Sequence, residues 1–169
     1  MKIAAGLIAI ALAIALQSTL ARFLIAGTVA VDLVLVVVVY VALTSGPVGG
    51  MFAGTLAGLV QDALSTGVIG IGGLAKTVVG FLVGVFGQQF IVTTPLPRFV
   101  MFLAASMLHS AVSIGLYVLL GLRAFPASPW TAVTGQAVGN AAVGMIAFTV
   151  IERLPGAIER RRMAKRMRD

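Results

Sequence analysis

The sequence predicts an all-α integral membrane protein with about six transmembrane helices. Hydrophobic residues make up 60% of the chain and charged residues only 10%, and the mean hydropathy is +1.11. A soluble domain carries about 25% charged residues, so this chain lacks the charge to cover a water-facing surface. Apolar stretches long enough to cross a bilayer core of about 30 Å repeat along nearly the whole length. We therefore predict a single polytopic membrane domain, residues 1–169, with a short basic cytoplasmic tail from about residue 153.

The first three spans follow from apolar length and from the residues that interrupt it. Residues 3–20 form an apolar stretch longer than the roughly 7–15 residues of a signal-peptide core, which predicts a first span. The second span runs from about residue 26 to 44. Its β-branched run, residues 34–39, is expected to be helical because a lone strand leaves backbone groups unpaired in lipid. A turn at residues 45–47 ends it, and the proline there suits the first turn of a third span, residues 47–64.

The last three spans are separated by segments rich in glycine and proline. Residues 65–73 contain four glycines and connect the third span to a fourth, which ends near residue 92. Two prolines in the turn at residues 93–97 stop one helix and start the next. The fifth span covers residues 98–122. The sixth covers residues 131–151, after a loop that again holds two prolines.

Lys and Arg residues set the expected orientation. Seven of the 12 lie in the tail, namely Arg153, Arg160, Arg161, Arg162, Lys165, Arg166 and Arg168. The positive-inside rule makes the tail cytoplasmic, and an even number of spans places the N-terminus inside as well, with Arg22 and Arg123 outside. The tail is expected to bind anionic lipid, and contact with a cytoplasmic partner is the alternative. Nucleic-acid binding is not expected, although the isoelectric point is about 11.2, because the tail is short.

A mirrored ladder of small residues occupies the third and fourth spans. Its members follow one another at steps of four: Gly50, Gly54, Gly58 and Asp62 in one span, and Lys76, Gly80 and Gly84 in the other. The two sets mirror about Ile69, which predicts an antiparallel hairpin that turns there. In this hairpin Asp62 meets Lys76 near the outer end. Gly54 lies opposite Gly84, and the small residues let the two backbones approach closely.

An ionisable residue in an apolar span is a candidate functional residue, because its charge is costly there. One interpretation of Asp62 and Lys76 is a charged pair that fixes the hairpin or binds a partner or ligand. The other is two interfacial residues, with the lysine snorkelling and the aspartate hydrated. Asp32 and Asp62 are both expected at the outer ends of their helices. The glycines serve either packing within the chain or docking of another membrane protein.

The remaining polar residues do not indicate catalysis. The chain has no Cys and a single His109, which excludes thiolate chemistry and a multi-histidine metal site within one chain. Ser106, Ser110 and Ser113 share a helix face beside His109, but no acid stands nearby in sequence to complete a triad. Asn140 is expected to hydrogen-bond a neighbouring helix. We expect no enzymatic activity and no dedicated cofactor.

Several of these segments resemble one family. Residues 50–65 (GMFAGTLAGLVQDALS) resemble the third-span signature of the rod shape-determining protein MreD family, and residues 70–80 (GIGGLAKTVVG) resemble the segment that follows it. Asp32-Leu33 and Tyr40 are similar to the family's second span. One departure is Val31, where a proline is expected before the acid. Span count, length and the basic tail fit the family as well.

The resemblance implies a component of the bacterial inner membrane that belongs to the cell-elongation machinery. Members of the family act with MreC, with the MreB filament directly or indirectly, and with the RodA glycosyltransferase and its partner transpeptidase. Their fold is similar to that of the substrate-binding subunits of energy-coupling-factor transporters. Two hypotheses follow. The chain is a non-enzymatic scaffold that holds its partners, or, alternatively, a small-molecule binding or transport subunit resembling vitamin-uptake subunits.

Overall fold

The computed structural model describes residues 2–20, 31–65, 68–90, 94–122 and 130–166. Every regular element in these residues is an α-helix, as predicted. The helices are α1 (Lys2–Leu20), α2 (Leu33–Leu64), α3 (Ile71–Gln89), α4 (Pro95–Leu119) and α5 (Trp130–Arg166). The predicted outer positions of Arg22 and Arg123, and the predicted start of the second span at residue 26, lie outside the described residues.

The apolar helices make this chain an integral membrane protein. Within the described residues, four helices are long and apolar enough to cross a membrane: Leu33–Leu64, Ile71–Gln89, Pro95–Leu119 and Val133–Ile151. Gly6–Thr19 is a shorter apolar helix. The predicted six spans do not appear as six separate helices, since the second and third are joined in α2.

Helix α2 folds back on itself at Gly46. The backbone there has φ 81° and ψ −173°, a conformation that a residue with a Cβ rarely adopts, and Pro47 follows it. A Cβ built on Gly50 would lie 2.6 Å from the Cβ of Ala42. In a straight helix two residues eight positions apart are separated by about 12 Å. The arms of α2, residues 33–45 and 47–64, are therefore antiparallel, which confirms the predicted turn at residues 45–47.

The second arm of α2 packs against α3 through its glycines. At each glycine a Cβ would overlap backbone atoms of the opposite helix, so that only hydrogen fits. The facing pairs are Gly50 with Gly80, Gly54 with Lys76, Gly58 with Gly73, and Gly84 with Pro47. The predicted close approach of two backbones is confirmed.

The predicted register of this hairpin is wrong. Gly54 faces the backbone of Lys76, eight residues before the expected Gly84. Helix α3 begins at Ile71, directly after Gly70, which caps it with a positive φ of 105°. The sequence pattern placed the whole stretch of residues 65–73 in the turn. The turn is three residues shorter than predicted, and the last residues of α2 extend past the start of α3, because Gly58 already faces Gly73. Each residue of α3 therefore pairs with an earlier level of α2.

The first arm of α2 is the centre of the apolar core. Its β-branched run is helical, as predicted, and its side chains are almost completely buried. On one side they pack against α3, α4 and α5, in a cluster that contains Leu35, Val36, Val39, Val79, Val83, Phe102, Ala105, Ala141 and Phe148. On the other side they pack against α1, in a cluster that contains Ile10, Ala13, Val34, Val38, Ala53 and Ala57. Among the described helices, α1 packs against α2 alone.

Candidate functional site

A group of polar side chains is buried where α2 begins. We call Asp32, Lys76, Ser106, His109 and Asn140 the polar cluster. Asp32, Lys76 and Asn140 are only 5%, 3% and 1% exposed, and Ser106 is equally buried, whereas His109 is half-buried. Polar groups in an apolar interior are costly unless they are bonded to one another. The contacts of the polar cluster therefore show what holds it there.

An ion pair joins α2 to α3. The Lys76 Nζ atom lies 2.9 Å from the Asp32 Oδ2 atom. The other carboxylate oxygen of Asp32 accepts a hydrogen bond of 3.0 Å from the backbone N–H of Leu35, which makes Asp32 the N-cap of α2. The positive end of the helix dipole also favours the negative charge at this position. Both oxygens of the buried carboxylate therefore have partners.

Lys76 also contacts His109 of α4. Its Nζ atom lies 3.2 Å from the Nε2 atom of the ring. An ammonium group has only donors, so Nε2 must accept this hydrogen bond, and the ring is neutral with its proton on Nδ1. One lysine thus links α3 to both α2 and α4.

The first backbone N–H groups of α2 are bound by side chains from other helices. The Asp32 N–H donates to Asn140 Oδ1 at 2.7 Å, and Asn140 Nδ2 donates to Ser106 Oγ at 2.8 Å. The Val34 N–H donates to Gln17 Oε1 of α1 at 3.2 Å. A helix leaves its first four N–H groups without partners inside the helix, and here the neighbouring helices supply them. Asn140 makes the predicted contact between helices.

The polar cluster lies deep in the helix bundle. Asn140 is ten residues beyond the start of α5 at Trp130, and Ser106 is eleven residues beyond the start of α4 at Pro95. With a rise of 1.5 Å per residue, both are about 15 Å from the nearest helix end, which is half the thickness of a bilayer core. Asp32 lies at the end of its helix, as expected, but that end is inside the bundle and not at its outer edge. Helix α2 begins at the level of the middle of α4 and α5.

Asp62 does not pair with Lys76, and that prediction is wrong. The Asp62 Oδ2 atom accepts hydrogen bonds from the backbone N–H groups of Gly70 and Gly73, at 2.9 and 3.0 Å. These groups form the N-terminus of α3, which attracts negative charge. Gly72 completes this cradle, because a Cβ there would overlap the carboxylate. Asp62 therefore fixes the turn between α2 and α3.

Asp32 and His109 were not predicted as partners of Lys76. The signal available was charge counting, since Asp32 and Asp62 are the two acids inside the predicted spans. The glycine-rich segment after Asp62 offers several N–H groups that a carboxylate can cap. If Asp62 caps those N–H groups, Asp32 is the acid that remains to pair with Lys76.

The backbone at Lys76 is held by the second arm of α2. Gly54 lies directly against the Lys76 carbonyl group, and a methyl group at Gly54 would overlap it. One residue further along each helix, the Thr55 and Thr77 hydroxyl groups are 2.8 Å apart. The glycine ladder thus places the lysine at the depth where it meets Asp32.

The polar cluster satisfies its own hydrogen bonds and ion pair. Among the described residues, no group of three or more His, Cys, Asp or Glu side chains is placed to hold a metal ion. A groove of about 620 Å³ between α4 and α5 is lined by apolar side chains and by Gly115, and no member of the polar cluster lines it. The arrangement is suited to holding helices together.

One of three comparisons with known proteins finds a match. Comparison with curated proteins and with solved structures returns no match. The family model for the rod shape-determining protein MreD matches residues 1–150. The matched region contains the whole polar cluster and the glycine ladder, and it confirms the resemblance carried by residues 50–65. The chain therefore belongs to the MreD family of rod shape-determining proteins.

Proposed function

We propose that this protein is a non-enzymatic membrane scaffold of the bacterial cell-elongation machinery. In this role it supports rod shape and regulates lateral peptidoglycan synthesis by binding its partners. Membership of the MreD family supports the role in shape determination. One observation carries the scaffold proposal: the charged residues of α2 and α3, namely Asp32, Lys76 and Asp62, all bond to other groups of the bundle. Their bonds fix the positions of helices.

We infer a topology of six crossings in the inner membrane within a single domain, residues 1–169. The crossings are α1, a second span that ends with the first arm of α2, the second arm of α2, α3, α4 and α5. Both termini are then cytoplasmic, in agreement with the basic tail. Reporter fusions at the two ends test this topology. Cytoplasmic signals at both ends are expected, and a periplasmic N-terminus would contradict the crossing count.

The partners we propose are MreC, RodA with its partner transpeptidase, and MreB directly or indirectly. A continuous apolar face on the second arm of α2 supports docking within the membrane. Its members recur at steps of four and are 46–68% exposed: Val48, Phe52, Leu56, Val60 and Leu64. The basic tail is proposed to bind anionic lipid, and no nucleic acid is involved. The similarity in fold to energy-coupling-factor subunits stays a prediction.

The alternative function, small-molecule binding or transport, gains no support from the described residues. Besides the groove between α4 and α5, one of about 330 Å³ lies between α1 and α2, and its lining is mostly apolar. Binding sites for small molecules combine an apolar pocket with a few converging polar groups. The groups of the polar cluster bond to one another instead, and the two buried polar atoms of the described residues that lack a hydrogen-bond partner, Gln61 Oε1 and Ser113 Oγ, do not line either groove.

The scaffold proposal is tested by depletion and complementation in a rod-shaped bacterium. Loss of the protein should widen and round the cells, and the wild-type chain should restore cell width. Complementing chains that carry Gly54→Leu should fail both to restore width and to recover MreC in pull-downs. Val138→Leu, at a position on α5 that is 53% exposed and lies outside the apolar face of α2, is the matched control. Normal width after depletion would show that the proposal is wrong.

A further inference from the structure

His109 contacts a buried ion pair through a hydrogen bond that only its neutral form can make. The Nε2 atom accepts from Lys76, and Lys76 is held by Asp32. Helix α4 carries His109 and α3 carries Lys76, so this hydrogen bond crosses between the two helices. His109 is more exposed than its two charged neighbours, which are both buried.

We propose that His109 is a proton-binding site and that a proton bound there opens the contact between α3 and α4. The proton comes from solvent and adds to Nε2, while the proton on Nδ1 stays in place. The ring then has two N–H donors and no acceptor. The ammonium of Lys76 has no acceptor to offer either, so the hydrogen bond between Lys76 and His109 is lost.

The charges around the ring add electrostatic repulsion to the loss of this hydrogen bond. Helix α3 contributes Lys76, and the N-terminus of α2 contributes Asp32, whose charges cancel. Asp62, at the far end of α2, is within electrostatic reach of the ring, and α5 contributes the uncharged Asn140 to the polar cluster. A proton on His109 leaves two cations beside the single adjacent carboxylate of Asp32. In a medium of low dielectric constant two adjacent cations repel strongly.

Helices α3 and α4 are not in close contact along their whole length. Near the opposite ends of the two helices, a groove of about 330 Å³ separates Phe86 and Phe90 of α3 from Pro97 and Val100 of α4. The contact between the helices is therefore concentrated around Val79, Val83, Phe102 and Ala105, next to His109. Loss of the hydrogen bond and repulsion at this point act on the part of the interface that is closely packed.

The chain is well suited to a direct test. It has one histidine, so a titration assigned to histidine belongs to His109, and it has no cysteine. Ala105→Cys introduces a thiol at a position that is 2% exposed, one turn before His109 and against α3. Its reaction in native membranes is followed with 4,4′-dithiodipyridine, which remains active in acid. Ser65→Cys, at an exposed position, corrects for the effect of pH on thiol reactivity.

The corrected rate at Ala105→Cys is expected to rise about tenfold or more between about pH 8 and pH 4, as loss of one charge-assisted hydrogen bond implies. With His109→Gln added, whose side-chain oxygen still accepts from Lys76, the rate should stay low throughout. His109→Arg, a permanent cation, should give the high rate at every pH. His109→Asn replaces His109→Gln if the latter does not fold. The proposal is overturned by an equal rise in the His109→Gln chain, or by a wild-type rate that does not change with pH.

Discussion

Asp32 and Lys76 form an ion pair of 2.9 Å that joins the N-cap of α2 to the second turn of α3 inside the helix bundle. Both side chains are buried, and the carboxylate is also the N-cap of α2. The pair thus neutralises two charges that neither helix can hold in an apolar interior alone. Its position at the depth of Asn140 and Ser106 makes it the point where α2, α3, α4 and α5 meet.

The first prediction concerns removal of one charge from this pair. Asp32→Asn should destabilise the protein by about 3–5 kcal/mol, because it leaves the Lys76 ammonium buried without a counter-charge. Lys76→Met should cost a similar amount. The double variant should recover a large part of the loss, since no charge is then left unpaired. The measurement is the thermal midpoint of the purified protein in detergent. A double variant less stable than both single variants would contradict this account.

The second prediction compares two glycines. Gly54→Ala should lower the thermal midpoint, since its Cβ would overlap the Lys76 carbonyl and force α2 and α3 apart. Gly115→Ala is the matched control. No atom lies within 4 Å of its Cβ position, so this helical substitution should be neutral or stabilising by up to about 1 kcal/mol. Equal effects at the two positions would show that the glycine ladder does not set the approach of the helices.

Much of the fold follows from the sequence because apolar length and turn residues act locally. The turn at Gly46 was predicted from residues 45–47 alone, and the helical state of residues 34–39 from the requirement that backbone groups be paired in lipid. The glycine spacing also predicted correctly that two backbones touch.

The register and the partner of Lys76 could not be predicted in the same way. A period of four is unchanged when one helix slides by whole turns, so the ladder fits Gly54 opposite Lys76 as well as opposite Gly84. The register is decided by where α3 starts, and that depends on the capping of its N–H groups by Asp62. The depth of Asp32 in the bundle depends on where α2 begins, and apolar composition does not mark the start of a helix.

The third prediction separates the two aspartates. Asp62→Asn keeps an acceptor for the Gly70 and Gly73 N–H groups and loses only the charge at the start of α3. The expected cost is about 1 kcal/mol, well below that of Asp32→Asn. Asp62→Ala removes the acceptor too and should cost more than Asp62→Asn. The thermal midpoints of the three variants rank these effects. An Asp62→Asn variant as unstable as Asp32→Asn would mean that Asp62 has a charged partner in solution.

The fourth prediction concerns Asn140, which connects α5 to the start of α2. Asn140→Leu removes the acceptor for the Asp32 N–H and the donor to Ser106, so a cost of about 1–3 kcal/mol is expected for groups left buried without partners. Ser106→Ala removes one hydrogen bond of the same chain and should cost less.

These two substitutions should not be additive. Once Asn140 is gone, the Ser106 hydroxyl has lost the donor it accepts from, so adding Ser106→Ala to Asn140→Leu should cost little further or even restore some stability. A double-mutant cycle on the thermal midpoints measures this coupling. Simple additivity would contradict the contact between Asn140 and Ser106. The hydrogen bond from the Asp32 N–H to Asn140 would then be the link of this polar chain that still joins α5 to the start of α2.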